Sequence, residues 1–243
     1  MALVQEIVCS DVFQFAGNIV QSFTTDFELT AGGGAGANPT EGNSLIVVIQ
    51  HDSVTIVDAP TTNQSDVFTL DYEPGNSISI YRIDSISAGV TEMQLDFSGG
   101  TTPQVWIFEL DAVVEEGDNS AYASTGDGFV TAHGIEYTTS TADELVICIA
   151  RCTSGSKTTW TGTGGATSLQ DSAASTTQAV IYAIIASAAT ADISWTMNAA
   201  GNATAALISY ALVGGSSPGA VAKLVGPGGM VGAGGGLIGL GLT

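Results

Sequence analysis

Apolar and polar positions alternate along this chain in short bursts. In Thr91-Glu92-Met93-Gln94-Leu95-Asp96-Phe97 every second residue is apolar, with Glu92, Gln94 and Asp96 between them. Successive side chains of a strand point to opposite faces, so this segment predicts a strand with one buried and one wet face. Leu45 to Ile49 and Leu145 to Ile149 are apolar at every position, which predicts central strands or strands covered by a neighbouring subunit. Ile78 to Ile83 and Val105 to Leu110 carry the same β-branched and aromatic signal. Clusters of turn-forming residues at Thr30 to Gly42, Glu73 to Asn76, Ser98 to Gly100 and Thr161 to Gly165 punctuate these runs. No stretch holds a helical period, so the expected fold class is all-β.

The runs recur. Asn43 to Gln50 (NSLIVVIQ) matches Asp143 to Ala150 (DELVICIA), and Ser79 to Ile83 matches Val180 to Ile184, with Tyr81 over Tyr182. Met93, Leu95 and Phe97 match Ile193, Trp195 and Met197, and Val105 to Val114 matches Ala205 to Gly214, with Phe108 over Ile208. Upstream of each series lies a further candidate strand, Ile19 to Leu29 and Phe129 to Tyr137. The expected architecture is a jelly-roll-like antiparallel β-sandwich over residues 1–213, made of repeated halves at about 15–114 and 125–213. Val113 to Thr125 reads as a short acidic junction, which favours one interleaved sandwich over two tandem domains.

Composition narrows the function classes. Of 243 residues, 24 are Asp or Glu and four are basic (Arg82, Arg151, Lys157 and Lys223), for a net charge of −20. Such a surface repels phosphate backbones and anionic lipid, which argues against nucleic-acid and membrane-surface binding. Cys9, Cys148 and Cys152 cannot all pair within the chain and read as small buried hydrophobes. The first ten residues carry no basic region ahead of Glu6 and Asp11, so the chain is expected to fold in the compartment where it is made.

Candidate chemistry is sparse, and no cofactor is expected. Ser154-Gly155-Ser156-Lys157 has the spelling of a serine acylase motif, but its glycine places it in a turn rather than on the helix that chemistry needs. His51 and His133 stand without partner His or Cys residues at metal-ligand spacing and read as surface residues. Glu115, Glu116, Asp118 and Asp127 read first as solvated acidic turns, and they are the loop residues that would supply oxygens if calcium were bound. Trp160 lies in the polar loop Lys157 to Gly162; burial is its first reading, and stacking on a glycan or anchoring a partner is the other.

Beyond Val213 the character changes. Residues 214–219 (GGSSPG) read as a linker, and residues 220–243 as an apolar tail in which Gly226, Gly229, Gly232 and Gly235 recur every third residue. Ile238 then breaks the phase, and Pro227 alone adds stiffness. A three-residue glycine period suits extended strands that pack against copies of themselves, as in collagen. Leu224, Val225, Gly226, Gly229, Met230, Val231, Gly232, Gly235, Leu237, Ile238, Leu240 and Leu242 are the expected assembly residues, and a homotrimer the expected state.

From Val4 to Val213 the order NSLIVVI, SISIYRI, SAGVTEMQLDFSG, VWIFEL and DELVICI resembles a family of β-sandwich modules in tailed-phage virion proteins and bacterial surface proteins. The resemblance implies a non-enzymatic capsid decoration or fibre-like subunit, made in the host cytoplasm and located in the virion. Its partners would be copies of itself and other virion proteins such as the major capsid protein. The other reading is a carbohydrate- or receptor-binding adhesin.

Overall fold

The computed structural model describes residues 3–9, 15–24, 28–29, 36–51, 56–73, 78–101, 104–112, 114–124, 130–138, 144–152, 157–162, 167–170, 178–185, 190–201, 203–212 and 223–224. Every regular element among them is a β-strand, and every strand pairing is antiparallel. The first half runs β1 (Leu3–Cys9), β2 (Phe15–Ser22), β3 (Glu28–Leu29), β4 (Ser44–Gln50), β5 (Ile56–Thr62), β6 (Thr69–Tyr72), β7 (Ile78–Ile83), β8 (Glu92–Thr101) and β9 (Gln104–Leu110). The second runs β10 (Val114–Ser124), β11 (Val130–Thr138), β12 (Glu144–Cys152), β13 (Lys157–Gly162), β14 (Thr167–Gln170), β15 (Gln178–Ile185), β16 (Thr190–Gly201), β17 (Ala203–Leu212) and β18 (Lys223–Leu224).

These strands form four sheets, and none mixes the halves. The first half makes a six-stranded sheet of order β3-β1-β9-β4-β7-β6 and a three-stranded sheet of order β2-β8-β5. The second makes a five-stranded sheet, β10-β17-β12-β15-β14, and a four-stranded sheet, β13-β16-β11-β18. The interleaving expected of the halves is therefore not what the sheets do. Its premise fails at Val113 to Thr125, because most of that acidic stretch is β10, paired with β17 from Val114↔Leu212 to Ser124↔Thr204. β10 is an edge strand, and edge strands tolerate charge.

Two hydrophobic cores hold the described part together. Leu45, Val47 and Ile49 of β4 face Met93, Leu95 and Phe97 of β8, joined by Phe23, Phe68 and Ile107. Glu92 on β8 is exposed, so the alternation of Thr91 to Phe97 does what the pattern dictates. The other face of the six-stranded sheet supplies Ile46, Val48, Ile80, Trp106 and Phe108 to a second core, where they meet Leu145, Ile147, Ile149, Tyr182, Ile208 and Tyr210 of the second half. The two-faced apolarity of β4 thus reflects cover by the other half of the same chain. The Phe108 and Tyr182 rings meet edge to face, centroids 5.3 Å apart.

Strand pairing decides which core each residue serves. Ile46 lies opposite Phe108, and Ile147 opposite Ile208. Leu45 accordingly faces the first core whereas Leu145 faces the second, and Tyr81 and Tyr182 divide in the same way. A slip of one residue turns a side chain to the opposite face, which a match of apolar letters cannot detect when both faces are apolar.

One end of the six-stranded sheet is tied by a buried carboxylate. Glu109 is 1% exposed. It accepts hydrogen bonds from Thr40 N at 2.8 Å, Asn43 Nδ2 at 2.7 Å and Gln5 Nε2. Gln5 also pairs with the backbone of Ala37 in both directions, 3.1 and 3.2 Å. Gly36 completes the fit: a Cβ there would lie 2.1 Å from the Phe23 carbonyl oxygen, so only glycine lets this segment approach.

Candidate functional site

The strongest polar arrangement lies where the halves meet. Arg82, the sole Lys or Arg among residues 1–150, donates from Nε to Asp71 Oδ2 at 2.9 Å and from Nη1 to the Val114 carbonyl at 2.6 Å. Asp84 pairs with the same Nη1. Tyr210 donates to Asp71 Oδ2 at 3.0 Å from the other side of the seam. The Asp71 side chain is 4% exposed and that of Arg82 14%. Guanidinium and phenol donate to the same carboxylate oxygen, so the buried Asp71 side chain fastens the two halves together.

A second feature is open to solvent. The outer face of the three-stranded sheet carries a shallow concavity of about 400 Å³, lined by Ala59, Thr61, Val67, Gln94 and Asp96. Val67 is 66% exposed, and Val20, opposite Gln94 on β2, is 53% exposed. Asp96 is the one carboxylate among these lining residues.

The third feature is a row across the four-stranded sheet. Trp160 on β13 lies opposite Trp195 on β16, and Trp195 lies opposite His133 on β11. The loop expected around Trp160 is instead the edge strand β13, whose Thr and Trp residues favour extended backbone. His51, expected at the surface, is buried, 3% exposed. It follows the all-buried β4 at the end where Gln50 and Gln104 are also buried and opposite one another.

Other expected residues scatter. Glu115, Glu116 and Asp118 lie on β10 rather than in a loop, and the register with β17 shifts between Glu116 and Ser120. Asp127 lies outside the described residues, as do Ser154, Gly155 and Ser156. Among the described residues no three His, Cys, Asp or Glu side chains converge as metal ligands. Nor is any helix there long and apolar enough to cross a membrane. Cys148 is a buried free thiol, and burial pushes its pKa from 9.0 up to about 12. Burial, with the Glu73 charge second, also raises the Tyr81 phenol above its ordinary value.

Of the expected assembly residues, Leu224 lies on β18, which pairs with β11 of its own chain through Ile135↔Leu224 and Glu136↔Lys223. Val225, Gly226, Gly229, Met230, Val231, Gly232, Gly235, Leu237, Ile238, Leu240 and Leu242 lie outside the described residues, as does the 214–219 linker. What sequence reasoning missed was the Asp71, Arg82 and Tyr210 cluster. The isolation of Arg82 in a strongly acidic half was the signal that pointed to it. Compared with known proteins, the chain matches no family model, no curated relative and no solved structure.

Proposed function

We propose that this chain is a non-catalytic structural protein of a tailed-phage particle, a capsid decoration or fibre-like subunit that acts through homo-oligomeric assembly, with a trimer as its unit. We also propose that each half is a jelly-roll-like sandwich and that the two are tandem repeats. The strand orders favour this. β1-β9-β4-β7 with β2-β8-β5 in the first half corresponds, element by element, to β10-β17-β12-β15 with β11-β16-β13 in the second.

The observation that carries the assembly reading is the chain's C-terminal end. After β18 docks on the four-stranded sheet, an apolar, glycine-rich stretch from Val225 to Thr243 continues. Its Val, Met, Leu and Ile side chains gain burial from a partner, and the glycines allow backbones to pack closely. The charge of −20 suits a component that must remain soluble on an exposed particle surface. Light scattering at micromolar concentration tests it: the full chain runs as a discrete oligomer and falls to a monomer on deletion of Gly226 to Thr243. A full chain that is already monomeric overturns the reading.

The Trp160, Trp195 and His133 row favours a second reading, a glycan- or receptor-binding adhesin, because sugars stack on aromatic rings. A glycan-array signal abolished by Trp160→Ala would put that reading first.

A further inference from the structure

We infer that the outer face of the three-stranded sheet docks an extended segment of another protein, one that carries a lysine or arginine between two apolar side chains. The inference concerns a surface the assembly reading does not use, and it stands whether or not the chain oligomerises.

The first observation is a row of residues across the sheet. Val20 of β2 lies opposite Gln94 of β8, Gln94 opposite Thr61 of β5, and Thr61 opposite Val67. Val20 is 53% and Val67 66% exposed, two of the four large apolar side chains that reach solvent among the described residues. Single exposed apolar residues are ordinary. Here Val67 lines the concavity of about 400 Å³ together with Thr61, Gln94 and Asp96, and Val20 stands at the other end of the same row. Neighbouring strands lie about 4.8 Å apart, so the two valines are separated by about 14 Å. A strand rises about 3.4 Å per residue, so residues i and i+4 of an extended segment crossing the row match that separation.

The second observation is charge. On the outer face of β8, Gln94 is flanked by Glu92, which is exposed, and by Asp96, which is partly buried and lines the concavity. Asp58 of β5 is the register partner of Asp96. Like charges opposite one another weaken a sheet, so this pairing is a local cost to the fold. Arg82 is the sole Lys or Arg among residues 1–150, and the seam holds it through Asp71, Asp84 and the Val114 carbonyl. The first half therefore has no cation of its own to set against Asp58 and Asp96. A cationic partner supplies one.

Spacing and charge together select the occupant. An extended segment laid across the strands sets its apolar side chains i and i+4 on Val20 and Val67, and the side chain at i+2, which shares their face, over Gln94. Asp96 is two residues along β8 from Gln94, about 7 Å away, within reach of a lysine or arginine whose stem lies along the sheet. A second copy of the chain fits poorly, because it brings 24 acidic and four basic residues, one of the four being Arg82 in the seam. Opposite charge steers the encounter and fixes the register, and the apolar contacts at Val20 and Val67 add affinity.

The test pans a library of random short peptides against the full wild-type chain, and then titrates the enriched peptides against the chain and its variants. The expected result is an enriched pattern of apolar, any, Lys or Arg, any, apolar. Binding of such a peptide weakens about tenfold or more in Asp96→Asn and in Val67→Ser, is unchanged in Leu70→Ser, an exposed position of β6, and falls with added salt. Asp96→Asn removes one of two facing like charges, so its urea unfolding shows a fold at least as stable as wild type, which separates lost binding from lost structure. Val67→Ser, at a position 66% exposed, is the second variant that keeps its fold. A panned library with no enrichment, enriched peptides without a basic residue, or a peptide bound equally by wild type, Asp96→Asn and Val67→Ser overturns the proposal.

Discussion

Tyr210 and Asp71, 139 residues apart in sequence, share a hydrogen bond of 3.0 Å across the seam between the halves. The carboxylate is also held by Arg82, and Arg82 reaches on to the carbonyl of Val114, where the second half begins. Arg82 and Asp71 together therefore tie β6, β7, β10 and β17 into a single fastening.

Tyr210→Phe removes only the phenol donor and leaves Arg82 on Asp71. Hydrogen bonds to charged groups contribute about 1.5–3 kcal/mol, so the variant unfolds at lower urea by about that amount. Asp71→Ala removes the acceptor of both Arg82 Nε and Tyr210 and costs more, about 3 kcal/mol or above, although Asp84 and the Val114 carbonyl still hold Arg82 Nη1. Equal losses in the two variants would show that Arg82 finds solvent once its partner is gone.

The shared core makes a second demand. Phe108 is fully buried and packs among residues of both halves, with Tyr182 at 5.3 Å. Phe108→Ala is expected to cost about 3–5 kcal/mol, transfer and cavity together. Because that core belongs to both halves, hydrogen exchange in β12 and β17 should accelerate along with β4 and β9. Acceleration confined to the first half would mean that the halves fold independently.

How far this fold is legible in the sequence depends on how each strand is buried. Thr91 to Phe97 is covered on one face, so its alternation identifies strand, face and core residues at once. Leu45 to Ile49 reads as a strand, but its two-faced apolarity conceals that Leu45 and Ile46 serve different cores. β10 was hidden by Glu115, Glu116 and Asp118, since acidic letters around a glycine mimic a turn when edge strands tolerate charge. Of the seam fastening only the isolation of Arg82 was legible, because Asp71, Arg82 and Tyr210 converge only through the pairing of four strands.

Glu109 offers a local prediction. Its carboxylate accepts from Thr40 N, Asn43 Nδ2 and Gln5 Nε2, three donors and no donor of its own. Glu109→Gln puts an NH₂ group against a donor and is expected to cost about 1.5–3 kcal/mol, although the side chain hardly changes size. The Thr40 amide should lose exchange protection in this variant while β7 and β8 keep theirs. Unchanged protection at Thr40 would show that the loop is held by Gln5 and Ala37 alone.

Cys148 supplies the pH dependence. The thiol is fully buried on β12, and burial raises its pKa from 9.0 to about 12. In the unfolded chain the thiol ionises near its ordinary value, while the folded chain holds the proton. A raised folded pKa contributes stability that is whole below pH 9 and is lost as pH rises toward 12. The slope attributable to this one group reaches at most about 1.4 kcal/mol per pH unit. Tyr81, whose pKa is also raised, adds loss of the same sign at high pH, so the difference between wild type and Cys148→Ala isolates the thiol. That difference should be flat from pH 6 to 8 and change only above 9. The same burial keeps the thiolate from forming or meeting reagent, so maleimide at pH 8, followed by peptide mass spectrometry, should leave Cys148 unmodified until the chain unfolds in urea. Labelling of Cys148 at the same rate with and without urea would place it outside a closed core.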